Sequence, residues 1–174
     1  MSDDLHLRFP NGRFQPPAEP LPAAARAALI DDIARLPDEF RAAAAALTAA
    51  QLDTPYRPDG WTGRQVIHHV PESHMNAFVR FKLALTEELP TIRPYDESAW
   101  TAMADARTAP PELSLSLVDA LHARWVLVLR HMRDADFVRR YNHPDMGPVS
   151  LDKALALYSW HGKHHTAHLR LLST

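Results

Sequence analysis

The chain of 174 residues contains no cysteine. That excludes a disulfide framework, a thiolate-ligated zinc site and a cysteine nucleophile. Any thiol chemistry must therefore draw on a thiol from outside the protein. Only five residues are glycine, while alanine and leucine are frequent, a balance that favours helices. Neither sign of charge is in large excess. The formal net charge of −2 leaves no basic field for nucleic acid or an anionic membrane surface. No run approaches eighteen consecutive apolar residues, so no membrane-spanning segment is expected. The opening "MSDDLHLRFP" is acidic and lacks the apolar centre of a secretory signal. The expectation is a cytoplasmic protein forming one domain over residues 1–174, long enough to bury its own core.

Proline, by contrast, is plentiful: fifteen residues, gathered between the periodic segments. Residues 1–21 are rich in it and read as an extended arm. Pro22 suits the first turn of a helix reaching about Ala50. Thr62 and Gln65 have the spacing of a capping box and open a second helix to about Glu88, with Pro71 inside it expected to bend it. "LPTIRPYDESAW" is a long connection, with a short helical turn expected at its end. "TAPPEL" introduces a third helix to about Met132, "YNHPDMGPVS" reads as a loop, and Ser150 caps a fourth helix to Leu172. The pattern predicts an all-α four-helix bundle with a long crossover between helices two and three.

What the sequence has in abundance is histidine, eleven in all, four of them within "SWHGKHHTAHLR" between His161 and His168. Imidazole is the commonest metal ligand. On the fourth helix Leu151, Ala154, Tyr158, Leu169 and Leu172 share a stripe, with Lys163 and Arg170 opposite. His161 and His165, four apart, lie within or beside that stripe. His168 is close to the same line, and His164 is displaced toward its edge. The helical zinc-protease motif would need glutamate at position 162, and glycine stands there, so that reading fails. Two histidines rarely hold a metal tightly, so a third should come from elsewhere. His69, at the margin of the apolar face of Val66, Val70, Ala77, Phe81 and Ala84, is the best placed. His68 and His74 point away from that line. Ser73, Asn76 and Arg80 continue it as a polar row, the lining a helix needs beside a wet pocket. His122 falls on an apolar face and reads as a hydrogen-bonded core residue. His6, His131 and His143 read as surface or loop residues. Tyr95, Asp96 and Trp100 read as pins for the crossover loop, or, for Tyr95 and Trp100, as part of a site mouth.

The stretch "LTAAQLDTPYRPDGWTGRQVIHHVPESHMNAFVRFKLALTEELPTIRPYDESAW" strongly resembles YfiT-type members of the DinB/YfiT-like metalloenzyme superfamily. "LHARW", "HPD" and "LYSWHGKHHTAH" resemble the same proteins in the same order. The resemblance implies a DinB-type four-helix bundle, commonly a homodimer, holding one divalent metal ion, nickel or zinc, on three histidines. By their positions in the motifs these correspond to His69, His161 and His165, which chooses 161/165 over 164/168. It also implies a metal-dependent hydrolase or a bacillithiol S-transferase, acting on a small molecule and on neither nucleic acid nor membrane.

Three imidazoles leave open coordination positions, the mark of a catalytic site. The first expectation is transfer of a low-molecular-weight thiol of the bacillithiol type, as cosubstrate, to an electrophile. Asn76, Arg80, Tyr95 and Trp100 would bind the thiol cofactor, with Arg80 and Asn76 assisting. The alternative is amide or ester hydrolysis by water activated on the metal, and the ligand-bearing faces lack a carboxylate to serve it as base. The third reading is a metal-binding stress-response bundle without catalysis. Because protons compete for imidazole, metal binding is expected to weaken as pH falls through about 6.

Overall fold

The computed structural model describes residues 2–173, with side chains over 5–173. Met1 and Thr174, the ends of the domain expected over 1–174, lie outside the described residues. Four long helices dominate: α2 (Ala23–Ala45), α4 (Gly63–Thr86), α7 (Pro111–His131) and α9 (Leu151–Leu172). Short helices lie before and between them: α1 (Ser2–Arg8), α3 (Ala49–Leu52), α5 (Glu97–Thr101), α6 (Ala104–Thr108) and α8 (Asp134–Phe137). A hairpin of β1 (Arg140–His143) and β2 (Gly147–Ser150) precedes α9.

The helix starts follow the local chemistry. Thr62 accepts from the Gln65 amide while the Gln65 side chain accepts from the Thr62 amide, closing the expected capping box. Ser150 accepts from the amide of Lys153 and caps α9. Helix α4 continues unbroken past Pro71, so His69 and Arg80 stay on one helix. Helix α2 ends at Ala45, five residues before its expected end. Thr48 and Gln51 form a second capping box there and start α3.

In the bundle α2 packs on α7 and α9, and α4 packs on the same two. The order around the barrel is therefore α2, α9, α4, α7, with α2 and α4 on one diagonal. Consecutive long helices are diagonal at residues 46–62 and again at 132–150. The long connection over residues 87–110 joins neighbours, and it carries α5 and α6 rather than a single turn.

Two expectations need correction. Residues 2–8 of the arm are helical rather than extended. The "YNHPDMGPVS" loop is an antiparallel hairpin in which Tyr141 faces Val149. Gly147, the first residue of β2 and the partner of His143, adopts φ +71°, a left-handed conformation that glycine takes without a Cβ penalty where the turn enters the strand. Turn-forming residues dominate the segment and mask two short strands. The hairpin also holds the crossover in place. Ile92 donates to the Asn142 carbonyl and Asn142 donates to that of Pro90.

The apolar core is split. One cluster gathers Ile33, Phe81, Trp125, Leu129 and Leu155; another gathers Leu36, Phe40, Val66, Ile67 and Leu169. Along α4 and α9 the residues between the two clusters include His74, His161 and His165, and His69 lies at their border beside Val70. A polar layer thus crosses the bundle between two apolar ones. No helix among the described residues is long and apolar enough to cross a membrane.

Candidate metal centre

Helices α4 and α9 pack side by side and bring residues 69, 161 and 165 to one point. His69 Nε2 lies 3.4 Å from His161 Nε2. With one nitrogen of His165, the three donor atoms lie within 4.8 Å of one another. His69 and His165 are buried and His161 nearly so. Burial pushes the His69 imidazole down to about 4, helped by the nearby His164. Burial, and then the neighbouring imidazoles, hold His161 and His165 well below the ordinary histidine value. All three are neutral at pH 7, with lone pairs available.

The arrangement fits a metal ion. A tetrahedral ion with nitrogens at 2.0–2.1 Å holds its ligand atoms about 3.4 Å apart. Bringing two ring nitrogens to that distance without a cation requires one of them to carry a proton. The Nδ1 of His69 is buried and has no hydrogen-bond partner. An all-imidazole donor set suits zinc, nickel, copper or iron.

The three rings form part of the wall of a cavity of about 620 Å³. Trp61, from the loop before α4, packs its ring 4.7 Å from His69 and stacks at 6.2 Å from His165. His164 stacks on Trp160 at 4.5 Å and lies 6.0 Å from Phe9 of the N-terminal arm. His168 stacks on Tyr56 at 3.9 Å. The arm and the residue 53–62 loop thereby close one side of the cavity.

The expected substrate residues separate into two pairs. Arg80 and Tyr95 line the cavity. Arg80 is only 9% exposed, and its Nη1 donates to the Tyr158 hydroxyl at 3.4 Å. Among the described residues no carboxylate pairs with it. Burial pushes the Tyr95 phenol up to about 12, against the lowering effect of a hydrogen bond with Ser73. Asn76 and Trp100 do not line the cavity. The Asn76 amide turns back to the Glu72 carbonyl, a bond within its own helix. Trp100 packs on Tyr95 at 4.4 Å, and Asp96 caps α5, so these two pin the crossover.

Three histidines lie differently from their expected places. His143 lines the cavity rather than a solvent-facing loop. His74, placed by the helical wheel away from the ligand line, is fully buried and hydrogen-bonds His161 at 3.1 Å. His68 is buried too, its ring nitrogens facing the Ser114 hydroxyl and the Ala109 carbonyl. His122 is the hydrogen-bonded core residue expected, and its partners are His74 and the Ile33 carbonyl. The signal that could have found the His74 contact was the pair of inward histidines on α4 and α7. The facing of those helices was not in the sequence.

Comparison with known proteins gives a consistent result. The DinB superfamily model matches residues 32–169. YfiT of Bacillus subtilis (strain 168), whose name carries an inferred metal-dependent hydrolase activity, is 45% identical over 170 residues, 97% of this chain and 95% of that one. A protein of Bacillus licheniformis, named in the same way, is 48% identical over 167 residues, 94% of this chain and 93% of that one. The solved structure of Bacillus subtilis YfiT, described as an unusual four-helix bundle topology, superposes with a TM-score of 0.93 over 97% of this chain and 96% of that one. A mycothiol-dependent maleylpyruvate isomerase shares the fold at a TM-score of 0.67 and 18% identity, over 86% of this chain and 61% of that one. The diagonal helix order and the histidine layer thus sit on a sequence match that spans most of the bundle, and the chain belongs to the DinB superfamily.

Proposed function

We propose that the chain is a divalent-metal-dependent enzyme in which His69, His161 and His165 hold one ion. We propose further that it transfers a low-molecular-weight thiol of the bacillithiol type to an electrophilic small molecule. The observation that carries this reading is the placement of three neutral imidazoles and a buried, carboxylate-free guanidinium on one cavity. A divalent ion bound there supplies Lewis acidity and lowers the pKa of a thiol or water that ligates it.

The chain's own residues do the rest. Arg80 is a desolvated cation, and burial without a counter-charge is costly unless a ligand brings the anion. It therefore serves as the anchor for an anionic group on the thiol cosubstrate. Tyr95 and Tyr158 stay protonated well above pH 7 and offer hydroxyl donors near that anchor. Trp61, Tyr56 and Trp160 give the cavity apolar walls that limit water. The protein has no thiol of its own to compete for the metal or the electrophile.

Hydrolysis is the second reading, favoured by the names that the Bacillus relatives carry. It would need a general base within reach of the bound water, and among the described residues the carboxylates on the cavity wall are Asp59, Glu97 and Asp145, none of them hydrogen-bonded to His69, His161 or His165. The discriminating experiment loads the protein with zinc or nickel and offers an alkylating chromophore, with and without bacillithiol, alongside ester and amide substrates. Turnover dependent on added thiol, lost in His165→Ala, supports transfer. Ester or amide turnover without thiol supports hydrolysis. Metal uptake with neither activity supports a metal-binding bundle without catalysis. In Arg80→Leu the KM for the thiol should rise about tenfold, as for loss of one charged contact worth about 1.4 kcal/mol.

A further inference from the structure

Two chains of hydrogen bonds lead from α9 into the protein. In the first, His161 Nδ1 lies 3.1 Å from His74 Nε2. His74 Nδ1 lies 2.9 Å from His122 Nε2, and His122 Nδ1 lies 2.7 Å from the Ile33 carbonyl oxygen. In the second, His165 Nδ1 lies 3.3 Å from His168 Nδ1, and His168 Nε2 lies 3.3 Å from the Arg8 carbonyl oxygen.

A neutral imidazole carries one N–H and one lone pair, and a carbonyl can only accept. Each chain therefore has a single solution. Ile33 obliges His122 to donate from Nδ1, which leaves its Nε2 as acceptor. His74 must then donate from Nδ1 and accept at Nε2, and His161 must donate from Nδ1. By the same count, Arg8 sets His168 as the Nε2–H tautomer and His165 as the Nδ1–H tautomer. The lone pairs of His161 and His165 are both left on Nε2. For His161 that is the nitrogen facing His69.

Both terminal carbonyls are ones the helices leave unpaired. The helical partner of the Ile33 carbonyl would be the amide of residue 37, and Pro37 has no N–H. Arg8 is the last residue of α1, where carbonyls lack intrahelical donors.

We propose that these two relays fix the tautomers of His161 and His165, making His74, His122 and His168 positioning residues for the metal centre. The inference rests on the reading of His69, His161 and His165 as the ligands. It also argues against a second metal on the neighbouring triad of His164, His165 and His168, whose donor atoms lie equally close. Such a metal would need the Nδ1 that His165 already spends on His168.

The test needs no activity. Nitrogen-15 spectra of the imidazoles in the metal-free protein should show Nδ1–H tautomers at His74, His122, His161 and His165, and Nε2–H at His168. Zinc affinity, measured by competition with a chromophoric chelator, should fall about 10–100-fold in His122→Leu. His122→Gln should restore most of it, because its amide can donate to Ile33 while its oxygen accepts from His74. A purely packing role for His122 predicts no such rescue. Nε2–H tautomers at His161 or His165 would overturn the proposal, as would wild-type affinity in His122→Leu. Should His122→Leu fail to fold, the wild-type spectra decide. A wild type with these tautomers but no zinc affinity would sink the metal reading and leave the relays standing.

Discussion

Leu36 of α2 packs directly against Gly162 of α9: a Cβ built on Gly162 would stand 2.5 Å from Leu36 Cδ2 and 2.8 Å from Cδ1. The glycine sits in the His161–His165 turn and brings α9 close to α2. Leu36, only 3% exposed, fills that space.

Gly162→Ala sets two effects against each other. Alanine gains about 1 kcal/mol of helix propensity, while overpacking a buried contact costs about 1–3 kcal/mol. The clash is with a confined side chain, so overpacking should win and stability should fall by about 1 kcal/mol. Urea denaturation checks this. The double variant with Leu36→Ala should lose less than the sum of the two single losses.

Stability should depend steeply on pH on the acid side. Burial lowers His68, His69, His74, His122, His161, His164, His165 and His168 in the folded protein, with His164 at about 4 and His168 at about 3. The unfolded chain takes up protons near pH 6.5 and the folded chain does not. Stability is therefore full above about 6.5 and is lost as pH falls toward the folded values. Several groups act in the same direction, so the slope between pH 6 and 5 should exceed about 1.4 kcal/mol per unit. A flat profile over that range would contradict the buried neutral layer.

The same shifts move the metal's pH range. The ordinary histidine value places proton competition near pH 6, but His69 is pushed down to about 4. Zinc bound to the wild type should survive dialysis at pH 5.5 and be released on approach to pH 4.

One buried carboxylate of α9 holds both Leu21 and Arg26 against that helix. Asp152, fully buried, accepts from Arg26 Nε at 2.7 Å, Arg26 Nη2 at 2.8 Å and the Leu21 amide at 2.9 Å. Asp152→Ala leaves a buried guanidinium with only the exposed Asp134, and should cost about 3 kcal/mol. Arg41→Ala, which breaks the solvent-exposed pairs with Glu112 and Asp119, should leave the unfolding midpoint nearly unchanged.

Legibility in the sequence followed the range of the interactions. The caps at Thr62 and Ser150, and the four amphipathic helices, are local and were readable. So was the line of His69 and Arg80 along α4. The hairpin was hidden because Pro144, Asp145 and Gly147 announce a turn more loudly than Tyr141 and Val149 announce strands. Helix order around the barrel is a long-range property. Without it, the side of α4 bearing His74 read as pointing away, when it faces α7 and His122. Asn76 shared the wheel position of a lining residue, but its amide found a nearer partner in the Glu72 carbonyl.

The central claim is that one ion binds on His69, His161 and His165, with His164 a neighbour. Metal content after equilibrium dialysis against zinc, measured on the wild type, His165→Ala and His164→Ala, tests it most directly. The expected result is one zinc per chain in the wild type and in His164→Ala, and none in His165→Ala. Equal loss in the two variants, or two zinc ions per wild-type chain, would contradict it.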